Sequence, residues 1–164
     1  PGFGEDAVRQ EMVADLAAEM LFGETSQLYL KLYEEGVVDG SFGGGFETIE
    51  GMSMLIAAGD SENPEAVRDA ILQAAKALAE TGISDEMFLR MKRSALGRRI
   101  RGLDSFESTC FRLCAYHFSK FDYFRIPKIY GEVTKEEIQE FIRNVVRDDR
   151  MCMAVITPNK EETK

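Results

Sequence analysis

The side chains best suited to binding a metal lie within one short stretch of the sequence. Cys110, Cys114 and His117 fall on one face of a predicted helix, and this spacing leaves a metal cluster open as an interpretation. Catalytic zinc needs three protein ligands and an open position, however, and His117 is the only histidine. The two cysteines occupy apolar positions, where a thiol usually behaves as a small hydrophobe. We therefore predict that this chain holds no metal or other cofactor, and that these thiols and Cys152 are reduced and buried.

The glycine run Gly43-Gly44-Gly45 has the composition of a phosphate-binding loop. A phosphate loop needs a strand before the glycines and a helix directly after them, so that backbone N–H groups point at the phosphate. Here the residues after the glycines, Phe46 to Ile49, continue with strand character. The run therefore favours a strand start at which another part of the chain comes close.

A basic cluster stands out in this acidic chain. Its six cations lie within twelve residues and could bind a phosphate, a substrate carboxylate or an acidic neighbouring domain. The alternative is a solvated helix face near a C-terminus, where the helix dipole favours cations. The cations are Arg90, Lys92, Arg93, Arg98, Arg99 and Arg101, of which Arg93, Arg98, Arg99 and Arg101 are the candidate docking residues.

No arrangement of residues indicates catalysis by this chain alone. Glu34 and Glu35 follow one another at the end of a short predicted helix, without a histidine or a further carboxylate placed beside them. No nucleophile is paired with a base. We expect no catalytic residues in this chain.

The composition predicts a single soluble domain. A length of 164 residues suits one sizeable core, and no stretch approaches the roughly 20 apolar residues of a membrane span. A net charge of −9 argues against a nucleic-acid partner. No signal peptide pattern opens the chain, and we expect a cytoplasmic protein. The abrupt Pro-Gly-Phe-Gly start suggests a piece of a longer protein.

Apolar periodicity predicts the elements that would position these residues. Two helices come first, one over 5–22 and a short one marked by Leu28 and Leu32, and Gly36 ends the second with a left-handed C-cap. A hairpin follows, with strands over 42–49 and 52–56 and a turn at Glu50 and Gly51.

The second half of the chain is predicted to be mainly helical. Its helices begin at Asn63-Pro64, at Ser84, at Asp104 with Glu107, and at Thr134 with Glu137. The aromatic stretch Phe118 to Tyr130 is expected to be an irregular connection. Met151 to Ile156 is apolar on both faces, which predicts an interior strand. The order α-α-β-β-α-α-α-α-β indicates an α+β fold, with a small, mostly antiparallel sheet covered by several helices.

These residues and their order resemble the pitrilysin/insulinase family of zinc peptidases, which includes the mitochondrial processing peptidases. The stretch Leu-Tyr-Glu-Glu-Gly-Val-Val-Asp-Gly-Ser-Phe is especially similar to a bacterial branch often found as paired genes. The resemblance covers nearly the whole chain. It rests on Gly23, Ser26, Leu28, Leu32, Glu34, Glu35, Gly36 and Val37, on Ser84-Asp85-Glu86, on Thr134-Lys135-Glu136-Glu137 and on Val155-Ile156-Thr157-Pro158.

The resemblance implies a non-catalytic C-terminal half domain of a zinc metallopeptidase. Zinc in this family is bound in the other half by His-x-x-Glu-His, a motif that this chain lacks. The implied partners are the N-terminal catalytic half, or a paired subunit, and a peptide substrate enclosed between them. Residues 1–158 would form the half domain, without its first strands, and 159–164 a charged tail.

The resemblance also implies where substrate would be held. In many members an arginine follows the residue equivalent to Leu32, and a tyrosine further on helps to hold the substrate. Here the first position is Tyr33 and the second is Asp39 or a neighbour, and both depart from the family pattern. The alternative function is a non-enzymatic binding or assembly module that docks an acidic partner through the basic helix.

Overall fold

The computed structural model of the protein describes residues 4–49 and 52–157. One long helix lies at its centre, and the other elements pack around this helix. The fold is α+β, mostly helical, with a two-stranded antiparallel sheet in the described residues. The helices are α1 (Glu5–Phe22), α2 (Gln27–Glu34), α3 (Pro64–Thr81), α4 (Asp85–Arg101), α5 (Phe106–Phe118), α6 (Ile126–Glu132) and α7 (Lys135–Val145), and the strands are β1 (Gly43–Ile49) and β2 (Met52–Ala58). Single 3₁₀ turns lie at Gly102–Asp104, Tyr123–Arg125 and Asp148–Arg150.

Helix α1 forms the centre of the core. Ten of its 18 residues are buried, and they are distributed around most of its circumference. A helix that is apolar on most sides must be covered on most sides. Accordingly, α1 packs against both strands and against α2, α3, α4, α6 and α7. The largest of its completely buried side chains are Met12, Leu16, Met20 and Leu21.

Local signals set the helix ends as predicted. Gly36 has φ 67°, and the N–H of Val37 donates to the carbonyl of Leu32 at 2.9 Å, which closes α2 with a Schellman motif. The Asn63 side chain caps α3 with Pro64 in its first turn. At α7, Thr134 and Glu137 form the reciprocal capping box. The predictions for these ends are confirmed.

The sheet has one covered face and one open face. Phe46 pairs with Leu55 and Ile49 with Met52 in the antiparallel register, and the turn at residues 50–51 lies outside the described residues. Leu55 packs against the core. Because successive side chains alternate between faces, Ile49, Met52 and Ile56 share the opposite face, where they are 52%, 64% and 37% exposed.

Close packing requires a glycine at position 44 of the run Gly43-Gly44-Gly45. A Cβ at this position would lie 2.5 Å from the carbonyl oxygen of Ile56 and 2.7 Å from the Phe22 ring. The absence of a side chain therefore lets the C-terminal end of α1 approach the sheet. No helix follows the glycines directly, and the strand interpretation of the run is confirmed.

The predicted interior strand at Met151 to Ile156 is wrong in the described part of the chain. The segment 152–157 makes no backbone hydrogen bond there and is exposed along its length. Val155 is 50% and Ile156 is 97% exposed. An apolar run indicates a tendency to be buried but does not specify the neighbouring strand, and β1 and β2 pair only with each other here.

Three further expectations are corrected. The stretch from Phe118 to Tyr130 is partly helical, because Pro127 lies in the first turn of α6, where its fixed φ suits a helix start. Ser105, rather than Asp104, caps α5. The cysteines are free but exposed rather than buried, because Cys110 and Cys114 lie on α5, a helix without a buried residue, and Cys152 lies in the unpaired C-terminal segment.

Within the ranges 4–49 and 52–157, none of the helices combines the length and the apolar character that crossing a lipid bilayer would require.

Substitution at Gly44 tests the close approach of α1 to the sheet. We expect Gly44→Ala to lower the free energy of unfolding by about 1–3 kcal/mol, because the added methyl group overpacks against Phe22 and the β2 backbone. Gly43→Ala is the matched control, since a Cβ there meets nothing within 4 Å. Urea denaturation would measure both variants, and equal stability for the two would contradict this account of the packing.

Candidate functional site

The basic run of α4 faces an acidic stripe on α1. Glu11, Asp15 and Glu19 recur every four residues and therefore lie on one side of α1. Arg98 binds Glu19 through both guanidinium NH2 groups, at 3.1 and 2.9 Å. Arg99 binds Asp15 at 2.7 Å and Glu11 at 3.3 Å. Two of the four candidate docking residues thus pair with carboxylates of this chain.

Arg99 is the centre of a partly buried polar group that we call the Arg99 cluster: Arg99, Glu11, Asp15, Tyr116 and Tyr130. The Arg99 side chain is 19% exposed. Its guanidinium also donates to the hydroxyls of Tyr116 and Tyr130, both at 3.1 Å, and the Tyr116 hydroxyl donates to Glu11 at 2.6 Å. One guanidinium therefore connects α1, α4, α5 and α6.

Burial and charge shift the pKa values in this cluster. Burial raises the pKa of the Asp15 carboxyl, against the opposing effect of Arg99. Burial, followed by the charge of Glu11, raises the pKa of Tyr116. For Arg99 the largest effect is burial, which lowers the pKa. Interactions with Tyr130, Tyr116 and Asp15 nevertheless hold the pKa above its usual value. The guanidinium therefore stays charged inside the fold and acts as a fixed donor.

A cavity of about 600 Å³ adjoins the cluster between α1, α4, α5 and the start of β1. Arg112 contributes to its wall, and one of its terminal nitrogens is buried without a hydrogen-bond partner among the described residues. The wall combines the acidic stripe of α1 with Arg98, Arg99 and Arg112. These charges balance, so the cavity has no marked preference for an anion or a cation.

The remaining candidate docking residues point to solvent. Arg93 and Arg101 are exposed and take part in no ion pair within residues 4–49 and 52–157. Their role in docking stays a prediction.

Tyr33 and Asp39 lie on the surface around the end of α2. The Tyr33 ring stacks on Tyr29 with centroids 5.8 Å apart and remains 54% exposed. Asp39 accepts a hydrogen bond from the N–H of Ser41 at 2.7 Å. Hydrogen bonding by the Ser41 side chain, followed by this backbone bond, lowers the pKa of the Asp39 carboxyl. Asp39 therefore helps to form the turn before β1. A role of either residue in binding substrate stays a prediction.

The described residues do not fit a zinc ion. They contain no group of three or more histidine, cysteine, aspartate or glutamate side chains that could hold a metal. The ring of His117 lies against Phe118, with centroids 6.0 Å apart. Zinc needs convergent nitrogen, sulfur or oxygen donors, which these positions do not supply.

Sequence reasoning found the arginines but missed their partners. The available signal was the four-residue spacing of Glu11, Asp15 and Glu19 within an otherwise apolar helix, since carboxylates on a buried helix need cations. Tyr116 and Tyr130 gave no comparable signal, because their position beside Arg99 depends on the packing of α5 and α6.

Comparisons with known proteins place the chain in a family. A family model described as the peptidase M16 inactive domain matches residues 1–95, which is more than half of the chain. The uncharacterized zinc protease YmfH of Bacillus subtilis (strain 168) is 24% identical over 155 residues, or 94% of this chain and 36% of that protein.

Two crystal structures share the fold. The first, described as an M16-like peptidase from Alicyclobacillus acidocaldarius, has a TM-score of 0.83 at 22% identity and covers 91% of this chain and 36% of its own. The second, a protease from Helicobacter pylori, has a TM-score of 0.73 at 15% identity, and the match covers 92% of this chain and 37% of that chain. The chain thus spans little more than a third of the length of these relatives.

Replacing Arg99 tests how much its bonds between α1, α4, α5 and α6 stabilise the fold. We expect Arg99→Met to lower the free energy of unfolding by about 2–4 kcal/mol, because it leaves partly buried carboxylates without their cation. The matched control on the same helix is Arg93→Met, which should cost within about 0.5 kcal/mol, as for most surface changes. Chemical denaturation measures both, and a stability loss at Arg99 no greater than at Arg93 would disprove the role of the cluster.

Proposed function

The chain belongs to the family described as the peptidase M16 inactive domain, and from that premise we propose that it is the non-catalytic C-terminal half of a zinc-dependent peptidase. In this proposal it pairs with a zinc-bearing half, or with a paired subunit, and the two enclose a peptide substrate. The name of the Bacillus relative as a zinc protease supports the proposal, and so does the length of that relative, which leaves room for a second half.

The observation that carries the proposal is the open face of the sheet. Helix α1 covers the inner face, whereas the outer face presents Ile49, Met52 and Ile56 to solvent. Exposed apolar patches of this kind mark surfaces that bind other molecules. A wall of extended backbone with apolar side chains suits an enclosed peptide, which has both backbone groups and side chains to accommodate.

Tyr33 and Asp39 are the proposed substrate contacts in this chain. The stacked and half-exposed ring of Tyr33 offers a rigid aromatic surface to a peptide side chain. The Asp39 carboxylate is exposed and already held in orientation by the N–H of Ser41. Both residues depart from the arginine and tyrosine that the family resemblance implies, so we propose that their contacts differ in chemistry from those of other members.

Zinc in this proposal is bound by the other half, since the donor set within residues 4–49 and 52–157 does not fit it. The half domain is proposed to extend over residues 1–158, and 159–164 lie outside the described residues. We further propose a bacterial, cytoplasmic protein without a nucleic-acid or membrane partner. The free state of all three cysteines, which is typical of reducing compartments, supports that location.

The second candidate function, an assembly module that docks an acidic partner through α4, is supported by the exposure of Arg93 and Arg101. It is weakened because Arg98 and Arg99 already bind the acidic stripe of α1. Only part of the basic run is therefore available to an acidic partner.

Reconstitution tests the leading proposal. The purified chain alone should contain no stoichiometric zinc and cleave no peptide, whereas mixing it with the zinc-bearing half encoded in the same or the neighbouring gene should yield a complex and peptidase activity. Metal analysis, size-exclusion chromatography and a fluorogenic peptide assay provide the readouts. One tightly bound zinc per chain that is lost in His117→Ala, or an active zinc half that never binds this chain, would refute the proposal.

The substrate role of Tyr33 is tested in the reconstituted complex. We expect Tyr33→Ala to raise KM by about fivefold to tenfold, because the loss of one aromatic contact costs about 1 kcal/mol. Leu30→Ala is the matched control, since Leu30 lies on the same helix and is 46% exposed. If both variants change KM equally, Tyr33 does not contact the substrate.

A further inference from the structure

Helix α5 carries an exposed apolar face. None of its residues is buried within the described ranges. Phe106, Phe111 and Phe118 are 85%, 74% and 78% exposed, and Cys110 and Cys114 are exposed as well. Several large aromatic side chains exposed on one helix mark a surface that binds another molecule, because covering them removes much apolar area from water.

Four of these residues form one continuous stripe. Phe106, Cys110, Cys114 and Phe118 follow one another at intervals of four, so they lie in one row along the helix, and Phe111 lies on the same side as Phe118. We call the row of four the α5 stripe. It carries no charged side chain, and it has large rings at both ends and small thiols in the middle. A second helix can therefore come close at the thiols while the rings pack at the two ends.

The α5 stripe has the same side chains in both directions. Its order, Phe-Cys-Cys-Phe, is symmetric about residue 112. A second copy that runs antiparallel about a twofold axis at this level brings Phe106 to the partner's Phe118 and Cys110 to the partner's Cys114. A twofold interface uses the same patch on both subunits, so the patch must match itself. The α5 stripe meets this requirement.

We propose that the α5 stripe is a contact between two copies of this protein, which pair antiparallel through α5 about a twofold axis. The available area supports a second copy as the occupant. A fully covered aromatic side chain buries about 150–250 Å², so the three exposed rings of two copies together supply about 700–1,200 Å². Specific interfaces bury about 1,000 Å² or more. The pair reaches this size at its small end, and a weak dimer is expected. The inference does not depend on peptidase activity.

The other possible occupants fit the face less well. Helices that lie on lipid surfaces are rich in lysine and arginine on their polar side, whereas α5 has Arg112 as its one residue of these types. An unrelated protein would leave the symmetry of the stripe without a role. Another part of a longer polypeptide is the remaining occupant, and the experiments below distinguish it from a second copy.

Charge variants at the two ends of the stripe test the pairing in the protein encoded by the intact gene. Phe106→Lys with Phe118→Lys places like charges at each end of the dimer, and Phe106→Lys with Phe118→Glu places opposite charges there. By analytical ultracentrifugation we expect a wild-type dimer with a Kd of about 1–100 μM. The opposite-charge variant should dimerise at least about tenfold more tightly than the like-charge variant.

Two features make this comparison specific. The like-charge variant makes the acidic chain less negative, so overall repulsion alone would favour the reverse order. Leu89→Lys is the matched control, because Leu89 is 50% exposed on α4, away from the α5 stripe in sequence. Its Kd should stay within about twofold of the wild type, as for most surface changes.

Disulfide crosslinking tests the antiparallel register. With copper phenanthroline as the oxidant, we expect a covalent dimer whose bond joins Cys110 to the partner's Cys114, as mapped by mass spectrometry. In Cys110→Ser the two remaining Cys114 residues would lie on opposite sides of the axis, about 6 Å apart along the helices. With the separation between the helices, this exceeds the roughly 7 Å that a disulfide spans between Cα atoms. This variant should crosslink at least about tenfold more slowly.

Four outcomes would overturn the proposal. A wild-type monomer up to about 200 μM would be at least twice the upper limit of the expected Kd range and would leave the face to another part of the polypeptide. An equal Kd in the two double variants would place the dimer contact elsewhere. Equal crosslinking in the wild type and in Cys110→Ser would exclude the antiparallel register. Binding to vesicles of phosphatidylcholine and phosphatidylglycerol by a protein that stays monomeric would make the face a lipid site.

Discussion

Helix α1 carries three partly buried carboxylates beside its buried apolar side chains, and much of the fold depends on how these charges are paired. Apolar faces alone could be covered in many ways, since packing is not directional. A partly buried carboxylate needs a cation at hydrogen-bonding distance. Arg98 and Arg99 meet this need for Glu11, Asp15 and Glu19, which fixes the position of α4 along α1. The tyrosines that complete the Arg99 cluster then fix α5 and α6.

This constraint also bears on where the protein can bind partners. Arg98 and Arg99 of α4 are paired with carboxylates of α1. The exposed apolar surfaces are therefore the main features available for binding. These surfaces are the outer face of the hairpin, the segment 152–157 and the phenylalanines of α5 with their neighbour Phe124. Phe106, Phe111 and Phe118 are each more than 70% exposed. Association through apolar surface is therefore better supported than association through charge.

Local features of the fold could be predicted from the sequence, whereas long-range partners could not. The caps at Gly36, Asn63 and Thr134 depend on residues within one turn, so they follow from sequence spacing. The strand at Met151 to Ile156 was predicted wrongly because a strand depends on a neighbour, and sequence spacing does not show where in the chain that neighbour lies. The prediction that the thiols are buried was wrong for a related reason. Apolar spacing on α5 does not specify which other element covers that helix. Likewise, the Arg99 cluster needed tertiary packing to bring Tyr116 and Tyr130 to one guanidinium.

The two sides of the hairpin serve different requirements in these proposals. The inner face of the hairpin borders the core, since Leu55 packs against buried residues and Gly44 lies close to the ring of Phe22. The outer face, with Met52 at 64% exposure, lies open to solvent in the described part of the chain and can be covered and uncovered without opening the core. Under the proposed function, an exchangeable peptide on the outer face would therefore leave the core closed as it enters and leaves.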